Sequence, residues 1–159
     1  MRQSATAHTA HRTGHQGEHD GPRPSGAAAP ELQLFRAVFC PDPRRVPEMR
    51  RSARNFLRRL DTPESTIADA ELVVSELVTN AIQHGGAEGE VGLSVSATNS
   101  MVRVSVSDRN PAPAKLKQAD TDDESGRGLA LVAALTDHWH ISADGTTVHC
   151  VLALPEAAA

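Results

Sequence analysis

The chain has 159 residues, of which 39% are hydrophobic, 23% charged and 3% aromatic, a length that suits one domain with a sizeable core. Sixteen Lys and Arg against twenty Asp and Glu leave a net charge of −4, which ranks nucleic-acid binders low. No run of about 18 apolar residues offers a membrane span, and the N-terminal stretch lacks the apolar core of a signal peptide, so a cytoplasmic protein is expected.

Residues 1–30 are rich in His, Gly, Ala, Pro, Ser and Thr and hold little to bury. Such a stretch cannot offset its ordering entropy and is expected to be disordered, with the folded domain over residues 31–156. His8, His11, His15 and His19 have helical spacing, but Gly14, Gly17 and Gly21 oppose the helix a metal site there would need. Leu32–Cys40 reads as a strand ended by Pro41 and Pro43. A helix follows from Val46-Pro47, with Val46, Met49, Ala53, Phe56, Leu57 and Leu60 on one stripe. Its Arg50, Arg51, Arg54, Arg58 and Arg59 form a solvated face or a docking surface for an acidic partner.

A second helix opens at Thr62-Pro63, as cap and first position, and stops at Gly85-Gly86. Ile67, Ala70, Val74, Leu77, Val78 and Ala81 repeat the stripe of the first. Val91, Leu93, Val95 and Ala97 alternate, Thr98-Asn99-Ser100 turns the chain, and Val102, Val104 and Val106 alternate again. A loop from Arg109 to Ser125 precedes a short helix from Gly126 to about Thr136. Trp139 and Ile141 begin a strand, Asp144-Gly145 makes a hairpin turn, and Val148, Cys150, Leu152 and Leu154 complete the last strand. The fold class is therefore α+β, a two-layer sandwich with a mixed, mostly antiparallel sheet and helices on one face. Cys40 and Cys150 lie far apart in sequence and suit two reduced, buried thiols.

Glu76, Asn80 and His84 stand one helical turn apart, on the boundary between apolar stripe and surface. They form a polar flank or the wall of a cleft. Asp108 shares the parity of Val102, Val104 and Val106, so its carboxylate points toward the core layer. A buried carboxylate needs a partner: a salt bridge, a backbone cap or the amino group of a ligand would serve. Gly126-Arg127-Gly128 at a helix start suits an anion, although Asp120, Asp122, Asp123 and Glu124 just upstream would repel phosphate unless the lid turns them outward or a cation intervenes.

These motifs together resemble the Bergerat ATP-binding fold of gyrase-type ATPases, chaperone ATPase domains and histidine-kinase catalytic domains, and within it the small anti-sigma-factor serine/threonine kinases. The likeness rests on Glu71 through Gly85 for the first motif, Asp108 through Pro111 for the adenine motif, Ser125 through Val132 for the phosphate motif and Gly145 through Val148 for the final strand. It implies ATP and Mg²⁺ as cofactors. By that likeness Asp108, in one motif with Asn110, accepts a hydrogen bond from the adenine, and Thr146 assists. Asn80 holds the metal, while Gly126, Arg127, Gly128 and Leu129 belong to the phosphate-binding segment. Glu76 is the general base, and His84 lies near the phosphates. Asn110 stands where much of the superfamily has Gly, and Asn tolerates left-handed backbone better than most residues.

The resemblance implies a kinase that binds a sigma factor and phosphorylates an anti-sigma-factor antagonist, with no direct nucleic-acid or membrane partner and a homodimer as in relatives. A non-catalytic nucleotide-binding module acting by association alone is the alternative. Neither a transducer domain nor a phospho-acceptor dimerisation helix is expected.

Overall fold

The structure, a computed structural model, describes residues 31–85, 89–108 and 124–155. The expected disordered tail with its histidines, the lid acids Asp120, Asp122 and Asp123, and Asn110 lie outside the described residues. In chain order the elements are β1 (Gln33–Phe39), α1 (Arg45–Arg58), α2 (Glu64–His84), β2 (Val91–Ala97), β3 (Met101–Asp108), α3 (Glu124–Leu135), β4 (His138–Ile141) and β5 (Thr147–Ala153).

The strands form one sheet in the order β1-β2-β3-β5-β4, and all four pairings are antiparallel. Strict alternation gives each strand one apolar face. Val91, Leu93, Val95, Val102, Val104 and Cys150 are buried on that side, against Leu57, Ile67, Val73, Val74 and Val78 of α1 and α2. Each such aliphatic side chain, fully buried, contributes about 1.5–3 kcal/mol. The two-layer α+β architecture read from the sequence is the one observed.

The two stripes meet as expected: Met49, Ala53, Phe56 and Leu57 of α1 are buried, as are Ile67, Ala70, Val74, Leu77, Val78 and Ala81 of α2. The arginine face of α1 is only partly free. Arg54 bridges to Glu71 of α2 at 2.6 Å, and Arg58 reaches Glu64 at 3.0 Å. Among the described residues no helix is long and apolar enough to cross a membrane.

Three local expectations are corrected. Thr62 does not cap α2: the helix starts at Glu64, Pro63 takes the cap position with ψ 136°, and no side chain bonds the cap. The cause lies upstream, where Asp61 takes left-handed backbone (φ 51°) and the Thr62 amide donates to the Leu57 carbonyl, so that Thr62 closes the end of α1 instead. Glu64 then supplies the negative charge favoured in a first turn. Helix α3 begins at Glu124, two residues before Gly126. Cys40 is exposed while Cys150 is buried: Cys40 lies one residue past the end of β1, whereas Cys150 sits inside β5.

Candidate functional site

Helix α2 runs across the sheet toward the end where Asp108 of β3 pairs with Val91 of β2. Its buried Leu77, Val78 and Ala81 fix its rotation, and that rotation leaves Glu76 and Asn80 half-buried on the flank and His84 exposed in the last turn. The spacing that fills the core thus also sets the three polar groups in one line.

Helix α3 approaches this line through Gly128. A Cβ at Gly128 would lie 2.6 Å from Glu76 Oε2 and 3.7 Å from the Asn80 amide nitrogen. With no side chain at Gly128, the backbone of α3 meets the Glu76 carboxylate directly. Gly128 is buried, Leu129 is half-buried against the core, and Arg127 is exposed. Gly126, the third residue of α3, shares its N-terminal turn, where backbone N–H groups and the helix dipole favour an anion.

The second group gathers at the end of α2. Asp108 is half-buried, and Gly85 stands directly over it: a Cβ at Gly85 would come 2.9 Å from Asp108 Cβ and would run into the Ala81 carbonyl. Desolvation pushes the Asp108 carboxyl above its usual range, while its own backbone N–H and the charge of nearby His84 pull it partly back. The Asp108 amide donates to the Thr146 carbonyl at 3.1 Å. Thr146 is itself held by Asp144 Oδ1, which accepts from the Thr146 amide at 3.1 Å and the Thr146 hydroxyl at 3.0 Å, in a hairpin turn closed by Gly145 at φ 75°.

The structure therefore brings Glu76, Asn80 and Gly128 together, and His84, Asp108 and Thr146 together, with α2 joining the two groups. The contact of Gly85 with Asp108 is the one that the sequence reading missed, having taken Gly85 as a helix stop and as the end of the first motif. The sequence carries both halves of this contact, an inward Asp at a strand end and a Gly at a helix end, but not the crossing that joins them.

Chemically, the first group offers a carboxylate and a side-chain amide beside bare backbone. The side-chain oxygens are hard donors suited to Mg²⁺, and the bare backbone N–H groups are suited to an oxyanion. Among the described residues no group of three or more His, Cys, Asp or Glu is arranged to hold a metal alone, so a cation here would take further oxygens from the bound ligand. The second group offers an inward acid that accepts hydrogen bonds in a partly desolvated place. A depression of about 570 Å³ lies at the opposite end of the sheet, between Glu31, Leu60, Thr62, Thr98 and Leu154, and contains none of the motif residues.

Residues 39–152 match the histidine kinase-like ATPase domain family. Anti-sigma F factors of Bacillus thuringiensis (strain Al Hakam) and Bacillus mycoides (strain KBAB4) are each 31% identical to this chain over 108 residues, which covers 59% of this chain and 74% of theirs. The crystal structure of the RsbU and RsbW domains of a Mycobacterium tuberculosis protein superposes with a TM-score of 0.57 at 23% identity, over 77% of this chain and 32% of that one. This chain spans about a third of that solved chain, and the likeness is one of fold.

Proposed function

This chain belongs to the histidine kinase-like ATPase domain family, and from that premise we propose that it is an ATP-binding anti-sigma factor that phosphorylates a serine or threonine of its antagonist protein. The observation that carries the reading is the packing of Gly128 against Glu76 and Asn80, with Asp108 at the far end of the same helix. The match to anti-sigma F factors supports the sigma factor and its antagonist as partners. We place the nucleotide-binding unit at residues 31–156, in the cytoplasm and as a homodimer.

In this reading Asp108 accepts a hydrogen bond from the adenine amino group, which answers its desolvation, and Thr146 stands beside the ring. Gly126, Gly128 and the backbone of Arg127 and Leu129 receive the phosphates at the start of α3, with His84 near them. Asn80 gives its amide oxygen to Mg²⁺, which when bound neutralises phosphate charge. Glu76 takes the proton of the attacking hydroxyl, whose oxygen bonds to the γ-phosphorus as ADP leaves. Little else is needed, since phosphoryl transfer depends chiefly on positioning and charge stabilisation.

The test is labelling of the antagonist by Mg-ATP carrying γ-³²P. Wild type is expected to transfer label. Glu76→Gln is expected to bind nucleotide yet transfer it about 10²–10⁴-fold more slowly, and Asp108→Asn to lose the thermal shift that Mg-ATP confers. Nucleotide binding with no labelling would point instead to regulation by association alone. No binding of adenine nucleotides would overturn the reading.

A further inference from the structure

The sheet turns its second face away from the helices, and that face has a composition unlike the chain as a whole. Among the outward strand positions stand Arg36 on β1, Arg103 on β3, His149 on β5, and His138 and His140 on β4, while no Asp or Glu occupies an outward position on any of the five strands. The chain carries −4 overall; this face is basic.

Its basic groups are ordered by register. Arg36 pairs with Ser94, Ser94 with Ser105, Ser105 with His149, and His149 with His140. This is one row across the whole sheet, with cationic or protonatable side chains at its ends and serines in the middle. The row is fastened locally: Ser105 Oγ and His149 Nδ1 lie 2.9 Å apart, and the rings of His140 and His149 stack at 4.9 Å. Burial and the neighbouring His140 and Arg103 push the His149 ring below its usual range, against a smaller opposing pull from Asp144 in the β4–β5 turn, which is itself engaged by Ser142 and Thr146.

Small side chains leave a shallow depression of about 220 Å³ along this row, between Arg36, Gly92, Ser94, Ser105 and Ser107. On β1, Leu34 and Val38 flank Arg36 and are 44% and 53% exposed. A sheet face with basic groups, a serine-lined trough and two uncovered aliphatic side chains presents both charge and apolar area to a partner.

We propose that this open face of the sheet docks an extended, acidic segment of a protein partner, laid across the strands along the row from Arg36 to His140. Five strands at about 4.8 Å spacing make the row about 19 Å long, the reach of roughly six extended residues. Carboxylates of such a segment meet Arg36, Arg103 and the histidines, and its apolar side chains cover Leu34 and Val38. A nucleic acid would match the charge but leave the aliphatic pair facing water. A second copy of the same face would set basic row against basic row.

The surface lies apart from the nucleotide site and does not depend on it. The test uses the full chain and a fluorescein-labelled synthetic nine-residue peptide of six Glu and three Leu, followed by anisotropy. Arg36→Ser/Arg103→Ser is expected to weaken peptide binding about tenfold, and Ser94→Glu, which puts a carboxylate in the middle of the row, to weaken it similarly. Arg50→Ser/Arg51→Ser on α1 is expected to leave binding within about twofold, and raising salt from about 50 to 300 mM to weaken it. Equal binding by wild type and both sheet variants would overturn the proposal. So would an equal loss in the α1 variant, or binding of a single-stranded DNA 9-mer as tightly as the peptide. The Mg-ATP thermal shift, read in parallel, verifies that each variant is folded; its absence from wild type would count against the nucleotide reading and leave the sheet face untouched.

Discussion

Replacing Gly128 by Ala separates what this position does for stability from what it does for chemistry, because the two effects have opposite signs. The added Cβ would lie 2.6 Å from Glu76 Oε2, whereas ordinary contact begins at 3.4 Å, so the carboxylate must retreat by about 3.4 − 2.6 = 0.8 Å. It can do so, being the end of a flexible side chain on a half-buried flank. The helix itself gains: Gly128 is the fifth residue of α3, and Gly→Ala inside a helix stabilises by about 0.5–1 kcal/mol. For a domain of this size that raises the melting temperature by about 1–4 °C. A general base displaced by nearly 1 Å, in contrast, costs about 10²-fold in rate. The assay pairs differential scanning calorimetry with single-turnover transfer from Mg-ATP to the antagonist. Expected is a protein that melts at or above the wild-type temperature and transfers phosphate about a hundredfold more slowly. Transfer within threefold of wild type would refute the placement of Glu76 at the reacting hydroxyl, and melting lowered by many degrees would refute the claim that Gly128 serves the site rather than the fold.

Burial raises the Asp108 carboxyl in the folded chain, so its ionisation opposes folding; stability linked to this group is fully present below the unfolded-state value and lost as pH rises through the higher folded one. Asp108→Asn is therefore expected to melt higher than wild type at pH 7 without nucleotide, with the gap closing as pH falls through the carboxylate range, in melts run from about pH 3.5 to 7. Arg54→Ala removes a partly buried bridge to Glu71 and is expected to cost about 1 kcal/mol in urea denaturation, while Arg58→Ala, whose bridge to Glu64 is exposed, is expected to leave the urea midpoint unchanged within error. Burial pushes the Cys150 thiol up to about 11, and Cys40 is exposed. A thiol reagent at pH 8 is expected to label one cysteine at once and the second only after denaturant is added; two fast equivalents would contradict the packing of β5.

The sequence was most legible where one periodicity decided the outcome. The stripe from Ile67 to Ala81 and the alternation from Val91 to Val106 define α2, β2 and β3 to within a few residues, because burial follows spacing directly. Asp108 was legible by parity alone, yet its contact with Gly85 was not, since that depends on how α2 crosses the sheet. The pairing of β3 with β5, past α3 and β4, lies in no local pattern and comes from the closing of the core. Thr62 was misread because a Thr before Pro looks like a cap, whereas the left-handed turn at Asp61 claimed its backbone for the preceding helix. Trp139 pairs with the buried Cys150 and shares its side of the sheet, but it lies on the edge strand β4 and stays 37% exposed.

Helix α2 alternates the two kinds of residue it carries: Leu77, Val78 and Ala81 are locked in the interior, and Glu76, Asn80 and His84 sit one position to the side. The screw that seats the hydrophobic set also aims the reactive set. A core substitution that lets α2 turn by a few degrees swings Glu76, Asn80 and His84 through the same arc, so repacking this interior and retuning this site are a single operation, and variants selected for one will carry a signature in the other.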